Sequence, residues 1–359
     1  MIRTYLDHAA TTPLRPQART ALEEGWRLWA NPSSPHAEGR AARRALEDAR
    51  ERIRQALGWT GELVFTSGAS EAAALALDHA QAGSRLVSAV EHDSILRAAT
   101  GATVLPVGAD GALDPEVLAR ELAAADDPLV AVQSLNSETG ARQDLPAIAD
   151  HVRAAGGLLL VDASQSAGKY PLPCTPDMVI VSAHKFGGPV GIGALLVADW
   201  AMLRPGGGQE RGYRPGTENL PGALAMAAAL NAAGDAYMSF DPDEVLRPFA
   251  AEVRALGGVW LSDRLAAPSG YIHAVAMPEL SATAQLMRFD LAGIAVSQGS
   301  ACSSGSLRIS HVLAAIDLPD ALAARTIRIS LGWNTTREDL DRFCDAWLGL
   351  ARPAAGRAA

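Results

Sequence analysis

MVIVSAHKFGGPVGIGALLV, residues 178–197, places two apolar runs of strand length on either side of a polar loop. Met178–Val181 and Ala194–Val197 contain no charged residue and no alternation of polar with apolar positions. Strands of this kind are buried on both faces, as in a sheet covered by helices on each side. The loop holds Lys185, and Lys169 is the only other lysine in the chain. Any chemistry that needs a lysine amine therefore has two candidates.

Strand and helix signals alternate through the first 240 residues. Four more apolar runs have strand length: Leu63–Phe65, Leu86–Val90, Leu129–Gln133 and Leu158–Val161. Between the runs lie stretches with helical patterning, predicted as helices over Arg40–Leu57, Pro115–Ala125 and Pro146–Ala155. This spacing predicts βαβ units and a mainly parallel sheet, which is an α/β fold.

The pattern changes after about residue 240, where SFDPDE marks a turn-rich junction. The later segments are predicted as three helices and three strands: Val245–Leu256, Ala282–Leu291 and Arg337–Leu350 as helices, and Ile272–Met277, Ile294–Ser297 and Thr326–Leu331 as strands. They predict a second, smaller α+β domain.

Composition and charge exclude several classes of protein. The 359 residues are 48% hydrophobic and carry 31 basic against 40 acidic side chains, for a net charge of -9 with no basic stripe, which argues against a nucleic-acid binder. No apolar run reaches the roughly 18 residues of a membrane helix, and the first residues lack a signal-peptide core, so we expect a cytosolic protein. Cys174, Cys302 and Cys344 are far apart and lack metal-ligand spacing, which predicts no disulfide framework and no metal site.

Polar residues follow several predicted strands, where open parallel sheets bind their ligands. Ser67-Gly68-Ala69-Ser70-Glu71 opens an alanine-rich helix, which suits either a phosphate or an ordinary capped helix without ligand. Asp162 follows another strand and either caps a helix or forms a turn, or pairs with a protonated ring nitrogen. Lys185 follows a third strand and is either an exposed loop lysine or a Schiff-base lysine. Together, the three features describe a pyridoxal phosphate site.

Three further segments carry candidate groups. His92 could stack on a cofactor ring or shuttle protons, and Asn136 could bind a phenolic oxygen or a carboxylate, although both residue types also form ordinary turns. The loop 206–219 is rich in glycine and arginine, which suits an anion or a flexible surface loop. Cys302 lies among Gly and Ser residues, as expected of an accessible nucleophile, whereas Cys344 lies within a predicted helix.

Taken together, these segments resemble the cysteine desulfurases, in the class V group of aminotransferase-like enzymes. The resemblance spans nearly the whole chain. It is carried, in order, by YLDHAATTP (5–13), NPSSPHAEGR (31–40), FTSGASE (65–71), VEHDS (90–94), NSETGARQ (136–143), VDASQS (161–166), SAHKFGGPVGIGAL (182–195), GGGQERGYRPGTEN (206–219), GSACSSG (299–305), SHVL (310–313) and TIRISLG (326–332).

The resemblance implies an aspartate-aminotransferase-like (fold type I) large domain over 15–240 with a mainly parallel seven-stranded sheet. The smaller α+β domain would then comprise 1–14 and 241–359 and carry the cysteine loop. The implied activity removes sulfur from L-cysteine, which gives L-alanine and a persulfide on Cys302. That sulfur would pass to an acceptor protein, for iron–sulfur cluster assembly or thiolation.

The resemblance also assigns roles to residues. Lys185, His92 and Cys302 are the implied catalytic residues, and Asn136 and Arg328 the substrate-binding ones, with Arg328 as a clamp for the substrate carboxylate. Thr217 would reach the cofactor phosphate across a dimer interface, which implies a homodimer. The implied cofactor-binding residues are Ala69, Ser70, His92, Asn136, Asp162, Gln165, Ser182, His184, Lys185 and Thr217.

Three other interpretations stay open on the sequence. The first is a pyridoxal phosphate-dependent aminotransferase or lyase on another small amino acid, in which Cys302 is incidental. The second is a non-enzymatic subunit that only stabilises a partner, against which Lys185, Asp162, Cys302 and Arg328 argue. The third is a dinucleotide-binding enzyme, for which TSGASE lacks the G-x-G-x-x-G pattern.

Overall fold

The computed structural model describes residues 3–234, 237–299 and 310–355, and these form an α/β fold. The described strands are β1 (Thr4–Tyr5), β2 (Glu62–Thr66), β3 (Ser84–Ser88), β4 (Thr103–Leu105), β5 (Pro128–Gln133), β6 (Leu158–Asp162), β7 (Met178–Ser182), β8 (Gly193–Val197), β9 (Val259–Trp260), β10 (Ile272–Ala276), β11 (Ile294–Ala295) and β12 (Thr326–Ser330). The described helices are α1 (Pro16–Arg27), α2 (Ala37–Ala56), α3 (Ala69–His79), α4 (Asp93–Ala98), α5 (Pro115–Ala124), α6 (Leu145–Ala154), α7 (Leu220–Asn231), α8 (Asp243–Ala255), α9 (Ala282–Leu291), α10 (His311–Ala315), α11 (Asp320–Ala323) and α12 (Arg337–Ala355). Over these ranges, no helix is both long enough and apolar enough to cross a membrane.

The central sheet has seven strands in the order β2-β8-β7-β6-β5-β3-β4, which confirms the predicted mainly parallel sheet. Only β8 runs antiparallel to its neighbours β2 and β7. The carboxyl ends of β2, β3, β5, β6 and β7 therefore lie at the same edge, where the sequence placed the candidate residues.

Both faces of this sheet are buried, as the unbroken apolar runs predicted. Along β7, Val179 and Val181 pack into one apolar core with α2, α5, α6 and α7, whereas Met178 and Ile180 pack into another with α3 and α4. Every residue of β7 and β8 is buried. Burial on both sides disfavours polar residues within the strands, so the polar residues of β5, β6 and β7 stand at the last position of each strand.

A separate apolar core lies under the three-stranded antiparallel sheet β12-β10-β9. Phe249 of α8 makes edge-on contacts with Trp260, Phe343 and Trp347, and the two helices α8 and α12 cover this sheet. Leu6 belongs to the same core, although it lies at the other end of the chain. The division of the chain into domains at residues 15 and 240 stays a prediction.

Some predicted boundaries differ from those observed. The predicted strand Ile294–Ser297 ends at Ala295, and Ser297 instead forms an isolated bridge with Arg328. The predicted helix Arg337–Leu350 continues to Ala355. The six strands predicted in the large sheet are confirmed, and the seventh, the edge strand β4, was not predicted because only two of its three residues are apolar.

His273 makes the stability of the smaller core depend on pH. Its ring stacks on Trp260 with centroids 4.9 Å apart, its Nδ1 lies 3.2 Å from Ser262 Oγ, and burial lowers its pKa to about 4. An unfolded histidine has a pKa of about 6.5, so the unfolded chain binds the extra proton between pH 6.5 and 4. Stability is therefore lost as the pH falls through that window.

We expect His273→Phe, which keeps the stacking but cannot be protonated, to flatten this loss. Relative to pH 7.5, the free energy of unfolding at pH 4.5 should fall by about 2 kcal/mol less in the variant than in the unmodified chain. Urea unfolding at both pH values measures the difference. Equal losses in the two proteins would contradict a neutral, buried His273.

Candidate functional site

A cavity of about 510 Å³ opens at the carboxyl edge of the large sheet. A larger cavity of about 900 Å³ lies elsewhere and is lined by none of the predicted site residues. Eight of the ten predicted cofactor-binding residues line the smaller one: Ala69, Ser70, His92, Asp162, Gln165, Ser182, His184 and Lys185. The predicted residues thus converge on one place, although they come from four separate segments.

One end of the cavity is built to receive an anion. The first turn of α3 begins there with Ala69 and Ser70, and the first amides of a helix have no partner within the helix. No side chain caps this helix end, because Gly68 stands at the capping position. The buried Ser182 and the half-buried His184 complete this end. Burial, followed by the nearby Lys185, lowers the pKa of His184 to about 4, so its ring is a neutral donor or acceptor at pH 7.

Glu71 and Arg214 brace the same turn. The Glu71 carboxylate accepts a 2.9 Å hydrogen bond from Arg214 Nε and another from the Ser67 amide. Burial opposes ionisation, but the bonds from Arg214 and Ser67 outweigh it and hold the pKa of Glu71 below its ordinary value. A negative charge near an anion site is unfavourable unless it is neutralised, and Arg214 supplies that neutralisation.

The middle of the cavity offers an acid and an amide. Asp162 ends β6, and its Oδ1 accepts a 2.8 Å hydrogen bond from the Ser164 amide, so Asp162 does form a local turn, while its pairing with a ring nitrogen stays a prediction. Gln165 donates from Nε2 to the Ala9 carbonyl at 2.9 Å, while its buried Oε1 has no partner among the described residues. An orphaned buried oxygen on a residue of the cavity wall fits a bound group with hydrogen-bond donors.

Lys185 lies in a single helical turn, 183–185, that directly follows β7. Its Nζ donates to the carbonyl oxygens of Ala9 and Ala10 at 2.5 and 3.0 Å. Thr12 binds the same turn, because its amide donates to the His184 carbonyl at 2.8 Å and its hydroxyl to the Lys185 carbonyl at 3.1 Å. The N-terminal segment therefore holds the lysine at the cavity wall.

His92 stands at the start of α4, where its Nδ1 accepts from the Ser94 amide at 3.2 Å and lies 2.8 Å from Ser94 Oγ. These contacts fix the ring at the cavity. The pKa of His92 is lowered, chiefly by desolvation and further by Lys185, although Asp162 opposes the shift. A lowered pKa favours the neutral imidazole, which can accept a proton.

Arg328 lies behind the cavity on β12 and is only 3% exposed. Its Nη1 donates to the carbonyl oxygens of Ser137, which lines the cavity, and of Gly299, at 2.8 and 3.3 Å. Its Nη2 contacts Asp7 Oδ1 at 2.6 Å. The guanidinium thus lies next to the cavity rather than inside it.

Besides Arg328, two predicted residues that the structure describes, Asn136 and Thr217, do not line the cavity. Asn136 does not line it, and its Oδ1 already accepts from the amides of Glu138 and Thr139. Thr217 is exposed and lies outside the lining. Cys302 lies outside the described residues. The roles predicted for these three stay predictions.

Two contributors were missed in the sequence. Asp7 pairs with Arg328, and the carbonyls of Ala9 and Ala10 hold Lys185. Backbone acceptors carry no sequence signal. The segment YLDHAATTP did stand out by resemblance, and it could have indicated that this stretch belongs to the site.

The comparisons with known proteins agree with this geometry. The class-V aminotransferase family model matches residues 4–343. A cysteine desulfurase of Cereibacter sphaeroides is 39% identical, covering 96% of this chain and 95% of its own, and the cysteine desulfurase IscS of Dictyoglomus turgidum is 35% identical, covering 95% and 92%. The solved NifS-like protein of Rickettsia africae is 28% identical with a TM-score of 0.87, covering 97% of this chain and 99% of its own.

Arg214→Ala tests the anion end of the cavity. Without Arg214, the Glu71 carboxylate should repel a bound phosphate, so the dissociation constant for pyridoxal phosphate should rise about tenfold. Fluorescence titration of the cofactor-free protein measures it. Adding Glu71→Gln to Arg214→Ala should restore most of the affinity. As a control, Arg153→Ala removes an exposed pair with Asp150 and should leave the dissociation constant unchanged. A double variant as weak as Arg214→Ala would contradict the charge argument.

Proposed function

The chain belongs to the class-V aminotransferase family and, within it, to the cysteine desulfurases, and from this premise we propose how its own residues perform the reaction. A cysteine desulfurase takes sulfur from L-cysteine and leaves L-alanine. The observation that carries the proposal is one cavity, at the strand ends, that Lys185, Asp162, His92 and the start of α3 all line.

The family depends on pyridoxal phosphate, and the residues present fit that group. Lys185 would bond its aldehyde carbon, Asp162 would pair with its protonated ring nitrogen, and Gln165 would line the site with an unpaired buried oxygen. The start of α3 with Ser182 and His184 would hold the phosphate. When bound, the cofactor supplies an electron sink that makes the Cα proton of the amino acid removable.

Lys185 and His92 are the groups that move protons. The Lys185 amine can hold a proton, because the carbonyls of Ala9 and Ala10 accept hydrogen bonds from Nζ. His92 is predominantly neutral at pH 7, since desolvation lowers its pKa, and is able to accept a proton from the substrate thiol.

Arg328 binds the substrate carboxylate, and Cys302 receives the sulfur. A guanidinium suits the first task because its planar fork matches two carboxylate oxygens. In the second step, the Cys302 thiolate forms a sulfur–sulfur bond while the substrate's carbon–sulfur bond breaks. The carbon fragment keeps the electron pair, gains a proton and leaves as alanine, and Cys302 holds the persulfide for a sulfur-acceptor protein.

We propose a homodimer in which Thr217 completes the phosphate site of the partner subunit. Thr217 is exposed and does not line the cavity of its own chain, as a residue with a role across an interface would not. Trp26 and Trp29 are 62% and 49% exposed on α1 and just beyond it, with ring centroids 6.1 Å apart, and suit burial against a second copy. The unpaired thiols of Cys174 and Cys344 fit the expected cytosolic compartment.

Lys185→Ala should abolish the visible absorbance of lysine-bound pyridoxal phosphate and stop sulfide release from L-cysteine. The chain offers a matched control, because Lys169 is its only other lysine. Lys169→Ala should keep the absorbance. Absorbance spectra of the two purified variants decide the assignment. Absorbance that survives in Lys185→Ala and is lost in Lys169→Ala would identify Lys169 as the lysine that binds the cofactor.

Cys302→Ala should keep the absorbance and lose at least 100-fold in sulfide release from L-cysteine with a reductant present, because the nucleophile is missing. Cys174→Ala should retain activity. Product analysis by chromatography adds a second readout, since desulfuration gives alanine and transamination would give a keto acid. Full turnover without Cys302 would favour a different lyase reaction.

A further inference from the structure

We propose that Asp7 is a positioning residue that orients Arg328 and thereby sets the affinity of the site for the substrate carboxylate. The inference rests on the proposed function, in which Arg328 binds that carboxylate. Asp7 lies 321 positions from Arg328 in the sequence, and nothing in its local motif marks it as a partner of the clamp.

The first observation is how the guanidinium is held. Nη1 donates to two backbone carbonyls, those of Ser137 and Gly299, at 2.8 and 3.3 Å. Nη2 donates to Asp7 Oδ1 at 2.6 Å, and Nε has no partner among the described residues. The bond to Asp7 anchors the second terminal nitrogen, and it is the only one of these three bonds that is made to a charged group. The open Nε leaves donor capacity for a second carboxylate.

The second observation is burial. The Arg328 side chain is 3% exposed and that of Asp7 is 23% exposed. A buried guanidinium without a negative partner is costly, and among the described residues Asp7 is the only carboxylate within salt-bridge distance. Asp7 therefore keeps Arg328 in place before the substrate arrives, and a substrate carboxylate meets a preoriented cation.

The third observation is that the Asp7 backbone is itself fixed. The Leu6 amide donates to the Ala295 carbonyl at 2.9 Å, and the Ser330 amide donates to the Leu6 carbonyl at 2.9 Å. Asp7 forms a bridge with Ser330, and the Ala9 amide donates to Ser330 Oγ at 2.8 Å. The segment is thus held on both sides of Asp7, next to the strand that carries Arg328. A side chain on such a support can define an angle, which one on a loose terminus could not.

The test compares two ligands that differ only in the carboxylate, L-cysteine and cysteamine, with the cofactor-loaded enzyme. In Asp7→Ala, we expect the KM for L-cysteine to rise about tenfold with kcat within about threefold. Binding of cysteamine, measured by the change in cofactor absorbance, should stay within about twofold. Asp7→Asn keeps an acceptor oxygen and should remain within about threefold of the original KM. Asp7→Leu, of similar volume without an acceptor, replaces Asp7→Ala if that variant does not fold.

The controls separate this proposal from the proposed function. Asp263→Ala breaks the exposed Arg254–Asp263 pair and should change neither the KM for L-cysteine nor the binding of cysteamine. Arg328→Ala should raise the KM for L-cysteine, and adding Asp7→Ala to it should have no further effect. If Arg328→Ala leaves that KM unchanged, the clamp itself is misassigned. If Arg328→Ala raises the KM for L-cysteine but Asp7→Ala does not, Asp7 is not a positioning residue. The same conclusion follows if Asp7→Ala weakens the binding of cysteamine as much as it raises the KM for L-cysteine.

Discussion

The site depends on the docking of one short segment, residues 7–15, against the turn that carries Lys185. Lys185 donates to carbonyls 176 and 175 positions earlier in the chain, and Thr12 binds the same turn in return. Arg15 adds a bond from its Nε to the Phe186 carbonyl at 3.1 Å, just after the lysine. The same segment also receives Gln165 at the Ala9 carbonyl. The lysine position therefore depends on tertiary packing, since both carbonyls that accept from Nζ lie in this distant segment.

The site also depends on charged side chains that are neutralised by partners from distant parts of the chain. Arg214 neutralises Glu71 at the anion end, and Asp7 neutralises Arg328 behind the cavity. In each pair the partners come from separate segments, so each charge is compensated only in the folded chain. Buried and partly buried charges are tolerated when they are paired and hydrogen-bonded, and these pairs meet that condition. His92 and His184 differ from these charged side chains, because burial lowers their pKa values and keeps them neutral.

The sequence could predict what depends on local pattern. The apolar runs located six strands because both faces of the large sheet are buried, and the polar residues at the strand ends located Asp162, Lys185 and His92 in one cavity. It could not predict the pairing of Asp7 with Arg328, because a charge pair between remote segments leaves no periodicity. The strand β4 was not predicted for a different reason. It has only three residues, of which two are apolar, so it forms no apolar run.

The glycine-rich loop 206–219 allowed two interpretations, an anion-binding segment or a flexible surface loop. Glu210 and Arg211 have φ values of 46° and 56°, a left-handed region that side chains rarely adopt, and such backbone persists only when its surroundings enforce it. The buried Arg50 supplies that enforcement, with bonds of 2.8 and 3.0 Å to the Glu210 carboxylate, which also accepts from the Phe65 amide at 2.8 Å. The Phe65 amide belongs to β2, the strand that leads into the anion end of the cavity. The bonds from Arg50 and Phe65 to Glu210 therefore fix the loop to the strand next to the cavity.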